Sequence, residues 1–300
     1  MNKRTTEMRN PITMAIDEMP TQQILTTINQ QDQQVPLAIG QPELLNVIAQ
    51  VVDTVVACFK KGGRLFYIGA GTSGRLGILD AAECVPTFGT SPELVQGLIA
   101  GGQKAMTEAV EGAEDSVAGG RADLAARHLS AQDFVLGLAA SGSTPYVIGG
   151  LDYAKEVGAA TGALSCNQGA LISQHADLAI EAVVGPEVVT GSTRMKAGTA
   201  EKLILNMIST TAMIKLGKVY GNLMVDVKPT NLKLVDRSKR IIADATGVDY
   251  ATAEKFFTAA KQQPKIAIVM INGDVDYNTA VAALNATDGF IAAALKYLRK

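Results

Sequence analysis

Two hydroxyl-bearing turns are the first places where this sequence can do chemistry. Gly69-Ala70-Gly71-Thr72-Ser73-Gly74 follows an apolar run and precedes a helical pattern, and Ser141-Gly142-Ser143-Thr144 repeats that arrangement just before Pro145. The first turn matches Gly-x-Gly-x-x-Gly, which by itself suggests a dinucleotide site. Thr72 and Ser73, however, place two hydroxyls inside the turn, which suits a compact phosphate. A second turn of the same kind would aim more backbone N–H groups and hydroxyls at one anion, with two helix N-termini behind them. A nicotinamide site does not require that second turn. A third segment, Thr190 to Lys196, also carries hydroxyls and cations ahead of a helical pattern, and capping of that helix is its simplest use.

Two carboxylates stand out by context. Glu83 closes the helical pattern that starts at the first turn, and Ala81, Ala82, Cys84, Val85 and Pro86 around it are small or apolar. Such a setting would raise a carboxyl pKa and keep the group ready as a general acid. Glu114 lies in Val110-Glu111-Gly112-Ala113-Glu114-Asp115, where Gly112 permits an irregular backbone beside the acids. Only two histidines are present, His128 and His175, far apart and without flanking ligands, so a His-rich metal centre is excluded. Cys58, Cys84 and Cys166 are an odd set at wide spacings, which fits reduced thiols in a cytoplasm, and Cys84 reads as a small core residue.

The elements that must hold these groups follow from periodicity. Leu44 to Phe59 repeats apolar residues at helical spacing behind Pro42 and stops before Gly62-Gly63. Short apolar runs at 65–68, 95–100, 134–140, 162–166 and 178–182 read as strands. Helical patterns lie between several of them, at 75–83, at 104–127 with a break near Gly112, and after Pro145, and a long one covers 196–216. Alternation of this kind predicts an α/β fold with a doubly wound parallel sheet. After residue 228 short helical patterns at 232–245, 250–261 and 277–285 predict a small helical domain, with 265–271 readable as a strand or a buried helix and favouring the helix. The expected organisation is an N-terminal arm over 1–40 with one or two short helices, a catalytic domain over 41–228 and a helical bundle over 229–300.

Composition narrows the function classes. Of 300 residues 47% are hydrophobic and 19% charged, which supports a buried core and excludes disorder as the main state. A net charge of −2, 5% aromatics and no Trp argue against a nucleic-acid partner. The longest nearly apolar stretch, Leu203 to Leu216, is broken by Asn206, Ser209, Thr210, Thr211 and Lys215, so no membrane span is expected. The residues after Met1 carry charge with no apolar run behind it, unlike a secretory signal.

The runs Gly69 to Gly77, Leu79 to Cys84, Val110 to Asp115, Val188 to Ala200 and Gly221 to Val227 resemble the N-acetylmuramic acid 6-phosphate etherase family, and the likeness extends over nearly the whole chain. The resemblance implies a sugar-isomerase (SIS) type sandwich, a C-terminal bundle resembling ubiquitin-associated domains, and a cytoplasmic homodimer without cofactor or metal. It also implies a lyase that releases D-lactate from N-acetylmuramic acid 6-phosphate and leaves N-acetylglucosamine 6-phosphate. The phosphosugar would rest on Gly71, Thr72, Ser73, Gly74, Ser141, Gly142, Ser143 and Thr144. Ser143 stands where the family usually has Arg, so a neutral donor occupies that place.

The residues suit that chemistry. An open-chain aldehyde acidifies the C2 proton, a carboxylate removes it, and lactate leaves C3 with its oxygen protonated before water adds back. One base and one acid suffice, and Glu114 and Glu83 are the expected pair. Glu114 is taken as base and Glu83 as acid, and the sequence leaves the reverse open. Three rivals share parts of the pattern: a phosphosugar isomerase, a non-catalytic phosphosugar-sensing regulator, and a nicotinamide oxidoreductase.

Overall fold

Leu65–Gly69 (β1) is buried along its whole length, as a central strand covered on both faces must be. It pairs in parallel with Val95–Ile99 (β2) on one side and Phe134–Leu138 (β3) on the other. Ala160–Ser165 (β4) and Leu178–Glu181 (β5) complete a five-stranded parallel sheet in the order β2-β1-β3-β4-β5. The computed structural model describes residues 4–229 and 231–299. The expectations for residues 1–3, and for residues 230 and 300 of the helical domain, lie outside them.

The chain divides into two compact units, one holding the residues up to Ala82 with Glu93–Ser209, the other Glu83–Pro92 with the residues from Thr210 onward. The division falls near residue 209 rather than at the expected 228, and the N-terminal segment belongs to the first unit. That segment forms three single 3-10 turns and then Thr21–Asp32 (α1) and Gln34–Ile39 (α2).

Pro42–Lys60 (α3) opens with Pro at its first position and buries Ile48, Val51, Val52, Val55 and Val56, one face of a 3.6-residue repeat, against the sheet. By length and composition it is apolar enough to cross a membrane, but that face is part of the core. The helix Gly71–Phe88 (α4) follows β1. Val117–Ala126 (α5) and Pro145–Val157 (α6) follow the next crossovers, and Lys196–Lys215 (α7) ends the α/β part. The expected helix over 104–127 is only half present. Residues 102–106 and 113–115 are 3-10 turns and the α-helix starts at Val117, because Gly101, Gly102 and Gly112 take positive φ values of 86°, 64° and 72° that interrupt a helix.

At the N-terminal edge of the sheet, Asp133 fastens β1 to β3. It accepts from the Arg64 and Ser130 N–H groups at 2.8 Å each and binds the Arg64 guanidinium at 2.8 Å. Burial pushes this carboxyl up, but the hydrogen bonds from Arg64 and Ser130 outweigh burial and hold it below the usual carboxylate range.

Helices α5 and α6 meet backbone to backbone. A Cβ on Gly120 would lie 1.9 Å from the Tyr146 carbonyl oxygen, and one on Gly149 would lie 1.9 Å from that of Val117. Neither atom can yield without moving a helix, so Gly120→Ala is expected to cost about 3 kcal/mol, the upper range for overpacking. A denaturation midpoint unchanged from wild type would contradict this close approach.

The second unit contains Leu232–Thr246 (α8), Tyr250–Ala259 (α9), Pro264–Gly273 (α10), Tyr277–Asn285 (α11) and Ile291–Leu298 (α12) around Ile242, Phe257, Ala267, Ile268 and Val269. Asn231, Asp249 and Asp276 cap three of these helices by accepting the N–H three residues on. The helix expected over 265–271 is α10. A short hairpin, Val219–Tyr220 (β6) with Leu223–Met224 (β7), precedes the helices and was not expected.

Candidate active site

Strands β1 and β3 are neighbours, with Gly69 opposite Leu138, yet their crossovers lead in opposite directions along the sheet. Ligands of open α/β sheets bind in the crevice at such a switch point, outside the carboxyl ends of the strands. Both hydroxyl-bearing turns leave the sheet there.

The first turn passes directly into α4, which begins at Gly71. The Gly74 N–H is bonded to the Ala70 carbonyl, so the N–H groups ahead of it stand at the open end of the helix, where an anion is favoured. Gly71 has φ 53° and only open space where a Cβ would be, while Gly74 lets α4 approach β1, since a Cβ there would lie 2.8 Å from the Gly69 oxygen. Thr72 is half-buried. Ser73 is buried, and its hydroxyl donates inward to Glu201 Oε1 at 2.7 Å. The Ser73 hydroxyl is therefore engaged away from the turn's open side, unlike the expectation that both hydroxyls serve a ligand.

A cleft of about 210 Å³ opens over this turn, lined by Ala70, Gly71, Arg75, Glu108, Glu111 and Glu114 among others. Arg75, in the first turns of α4, donates to the Met106 carbonyl at 3.1 Å and the Glu108 carbonyl at 3.3 Å. It thereby clips the irregular loop that carries Glu114 onto the glycine-rich turn. Glu114 sits on the 3-10 turn after Gly112, with its side chain exposed in the cleft.

The second turn lines a neighbouring cavity of about 290 Å³ through Ser141, Gly142 and Ser143, together with Arg4, Asn167 and Leu171. Asn167 shapes it, donating to the Ala140 and Ser141 carbonyls at 3.1 Å and to Thr6 Oγ1 at 3.0 Å, so the N-terminal segment is tied to the turn. Arg4 places a cation at the cavity that contains Ser143. Thr144 is the N-cap residue of α6 but makes no capping bond, which leaves its hydroxyl available.

Glu83 lies near the end of α4 and falls in the second unit. It is exposed, so the apolar enclosure suggested by its sequence neighbours is not formed around it. Those neighbours sit on other sides of the helix, Ala81 and Cys84 facing inward. At the head of α7, Glu187 supplies the cap expected of the 190–193 hydroxyls, accepting from the Lys196 and Ala197 N–H groups at 2.9 Å.

Arg4, Arg75, Asn167 and Glu201 went unnoticed in the sequence. Glu201 had a legible signal, since it interrupts the apolar stripe formed by Ala197, Ala200, Ile204 and Ile208 on one helix face.

Residues 47–155 match the glucokinase regulatory protein N-terminal SIS domain. A protein of an Exiguobacterium species named N-acetylmuramic acid 6-phosphate etherase is 61% identical over 98% of this chain and 100% of its own length. The chain belongs to the N-acetylmuramic acid 6-phosphate etherase family. A Lactiplantibacillus plantarum protein named N-acetylmuramic acid 6-phosphate etherase 2 is 59% identical over 98% of the chain and 99% of its own length. Among solved structures, a phosphoheptose isomerase from Francisella tularensis superposes with TM-score 0.52 at 17% identity, covering 65% of this chain and 100% of that one. This second kind of likeness is one of fold and bears out the expected parallel α/β sandwich.

Proposed function

We propose that the chain is a carbon–oxygen lyase that cleaves the D-lactyl ether of N-acetylmuramic acid 6-phosphate, as the name of its full-length relatives indicates, and that Glu114 is the base of the reaction. The observation that carries the residue assignment is the shared cleft of Glu114 and the glycine-rich turn, held together by Arg75. The phosphoryl group is anchored by the N–H groups at the start of α4 and by the hydroxyls of Thr72, Ser73, Ser141, Ser143 and Thr144, with Arg4 as the nearby cation. Gly71, Gly74 and Gly142 give the backbone its close approach. Binding energy from this remote group orients the reacting carbons.

In the open-chain sugar Glu114 takes the C2 proton. The electron pair forms the C2–C3 double bond, the C3–O bond breaks, and the lactate oxygen takes a proton from Glu83. Water then gives hydroxide to C3 and its proton to Glu83, while Glu114 returns a proton to C2, yielding N-acetylglucosamine 6-phosphate. Glu83 is supplied by a second copy of the chain, and the active form is a cytoplasmic homodimer. Exposed Ile12, Met14, Leu25 and Leu37 of the N-terminal segment, 52–64% accessible, support a self-association surface.

Lactate release from phosphorylated and unphosphorylated N-acetylmuramic acid tests the reading. Turnover of the phosphorylated sugar alone is expected, and equal turnover of both would remove the phosphate pocket. Release of an isomerised sugar phosphate without lactate would favour the isomerase alternative.

A further inference from the structure

Glu201 is fully buried on α7 and stands behind the glycine-rich turn. Its Oε1 is held by the Ser73 hydroxyl at 2.7 Å, and its Oε2 has no partner among the described residues. Gly198, one turn earlier on the same face, packs against Thr72, so this end of α7 forms the floor beneath both hydroxyls of the turn. A carboxylate enclosed in this way, with one oxygen unpaired, is costly unless it carries a proton.

Ser73 has one hydroxyl hydrogen and two places to send it. When Glu201 is ionised, the hydrogen is drawn inward and only oxygen lone pairs face the turn, which opposes an anion. When Glu201 is protonated, its own O–H donates to Ser73 Oγ, and the serine hydrogen is free to point outward. We propose that Glu201 is the positioning residue of the phosphate site: protonated, it donates to Ser73 Oγ and turns the Ser73 hydroxyl toward the bound phosphoryl group. Sugar phosphate binding then draws one proton into the protein, at a residue that never touches the ligand.

The setting suits this exchange. Burial pushes the Glu201 carboxyl up to about 7, against the lowering effect of the Ser73 hydrogen bond, so both forms are populated near neutral pH. Cys166, Glu187 and Lys196 are also buried in this interior. Cys166, after β4, has its thiol pushed well up, first by burial and then by the Glu201 and Glu187 charges, so it stays neutral. Glu187 is engaged with the Lys196 and Ala197 N–H groups, and the Lys196 ammonium donates to Gln31 at 3.2 Å.

The inference rests on the phosphosugar reading of the site, and titration with N-acetylglucosamine 6-phosphate separates the two. Above pH 7.5 a phosphate monoester with a second pKa of about 6 is already dianionic, so its own titration does not interfere. Between pH 7.5 and 9 the wild type is expected to weaken roughly ten-fold, the size of one charge-assisted hydrogen bond lost. Glu201→Gln, whose amide donates to Ser73 at every pH, is expected to stay flat and to bind more tightly than wild type at pH 9. Ser73→Ala should be weaker at pH 7.5 and insensitive to pH.

Calorimetry of the wild type at pH 8 in buffers of different ionisation enthalpy should show uptake approaching one proton, and this holds whether or not Glu201→Gln folds. Parallel weakening of wild type and Glu201→Gln, or no proton uptake, overturns the role of Glu201 while the phosphate site stands. No binding of the sugar phosphate by the wild type at pH 7.5 overturns the site and this inference together.

Discussion

Glu114→Gln is expected to lower lactate release by about 10²–10⁴-fold, the range for removing one general base, with KM nearly unchanged. The asymmetry follows from where the residue sits. Glu114 borders the cleft above Gly71, but the groups assigned to the phosphoryl anchor belong to α4, the second turn and Arg4. Gln keeps the size and the hydrogen bonding of the side chain and loses the basic lone pair. A large rise in KM with kcat preserved would mean that Glu114 binds substrate rather than moving a proton. Arg75→Met should lose part of the same rate by freeing the 102–115 loop, because the two carbonyls that Arg75 holds at 3.1 and 3.3 Å fix that loop against α4.

Glu83→Ala is expected to stop lactate release by a similar factor while C2 exchange with solvent continues, since the proton at C2 belongs to Glu114. The sharper consequence concerns subunits. If one copy supplies Glu114 and its partner Glu83, mixing the inactive variants Glu83→Ala and Glu114→Gln gives hybrid dimers with one intact site and one doubly defective site. Random re-association at equal concentration should restore about a quarter of wild-type activity, because half of the dimers are hybrids and half of their sites are whole. No recovery after confirmed subunit exchange would place both glutamates in one chain. That result would contradict a site shared between two copies.

The sheet was legible because its strands are buried on both faces, so 65–68 and 134–140 appear as unbroken apolar runs between glycine-bearing turns. The pair of hydroxyl turns was legible for a related reason: a strand that ends in Gly and Ser and enters a helix has few other uses. The loop over 102–115 was not. Ala105, Val110 and Ala113 recur at intervals that mimic a helical face, and only the positive φ at Gly101, Gly102 and Gly112 breaks it.

Glu83 was misjudged in its surroundings because apolar neighbours in sequence point to different sides of a helix, so adjacency says little about enclosure. Ser73 shows the converse. Its place in the turn was read correctly, while its inward bond depends on Glu201, 128 residues away. The β6–β7 hairpin is too short, at two residues a strand, to leave a periodic signature.

The most direct measurement follows the hydrogen at C2 when the wild type converts N-acetylmuramic acid 6-phosphate in deuterated water. Proton NMR of the N-acetylglucosamine 6-phosphate formed should show C2 carrying solvent deuterium in nearly every molecule, because Glu114 removes the original hydrogen before lactate departs and, exposed in its cleft, exchanges it with solvent before C2 is reprotonated. Product that retains its C2 hydrogen while lactate accumulates would show that the ether bond breaks without proton abstraction, and the proposed elimination would be wrong.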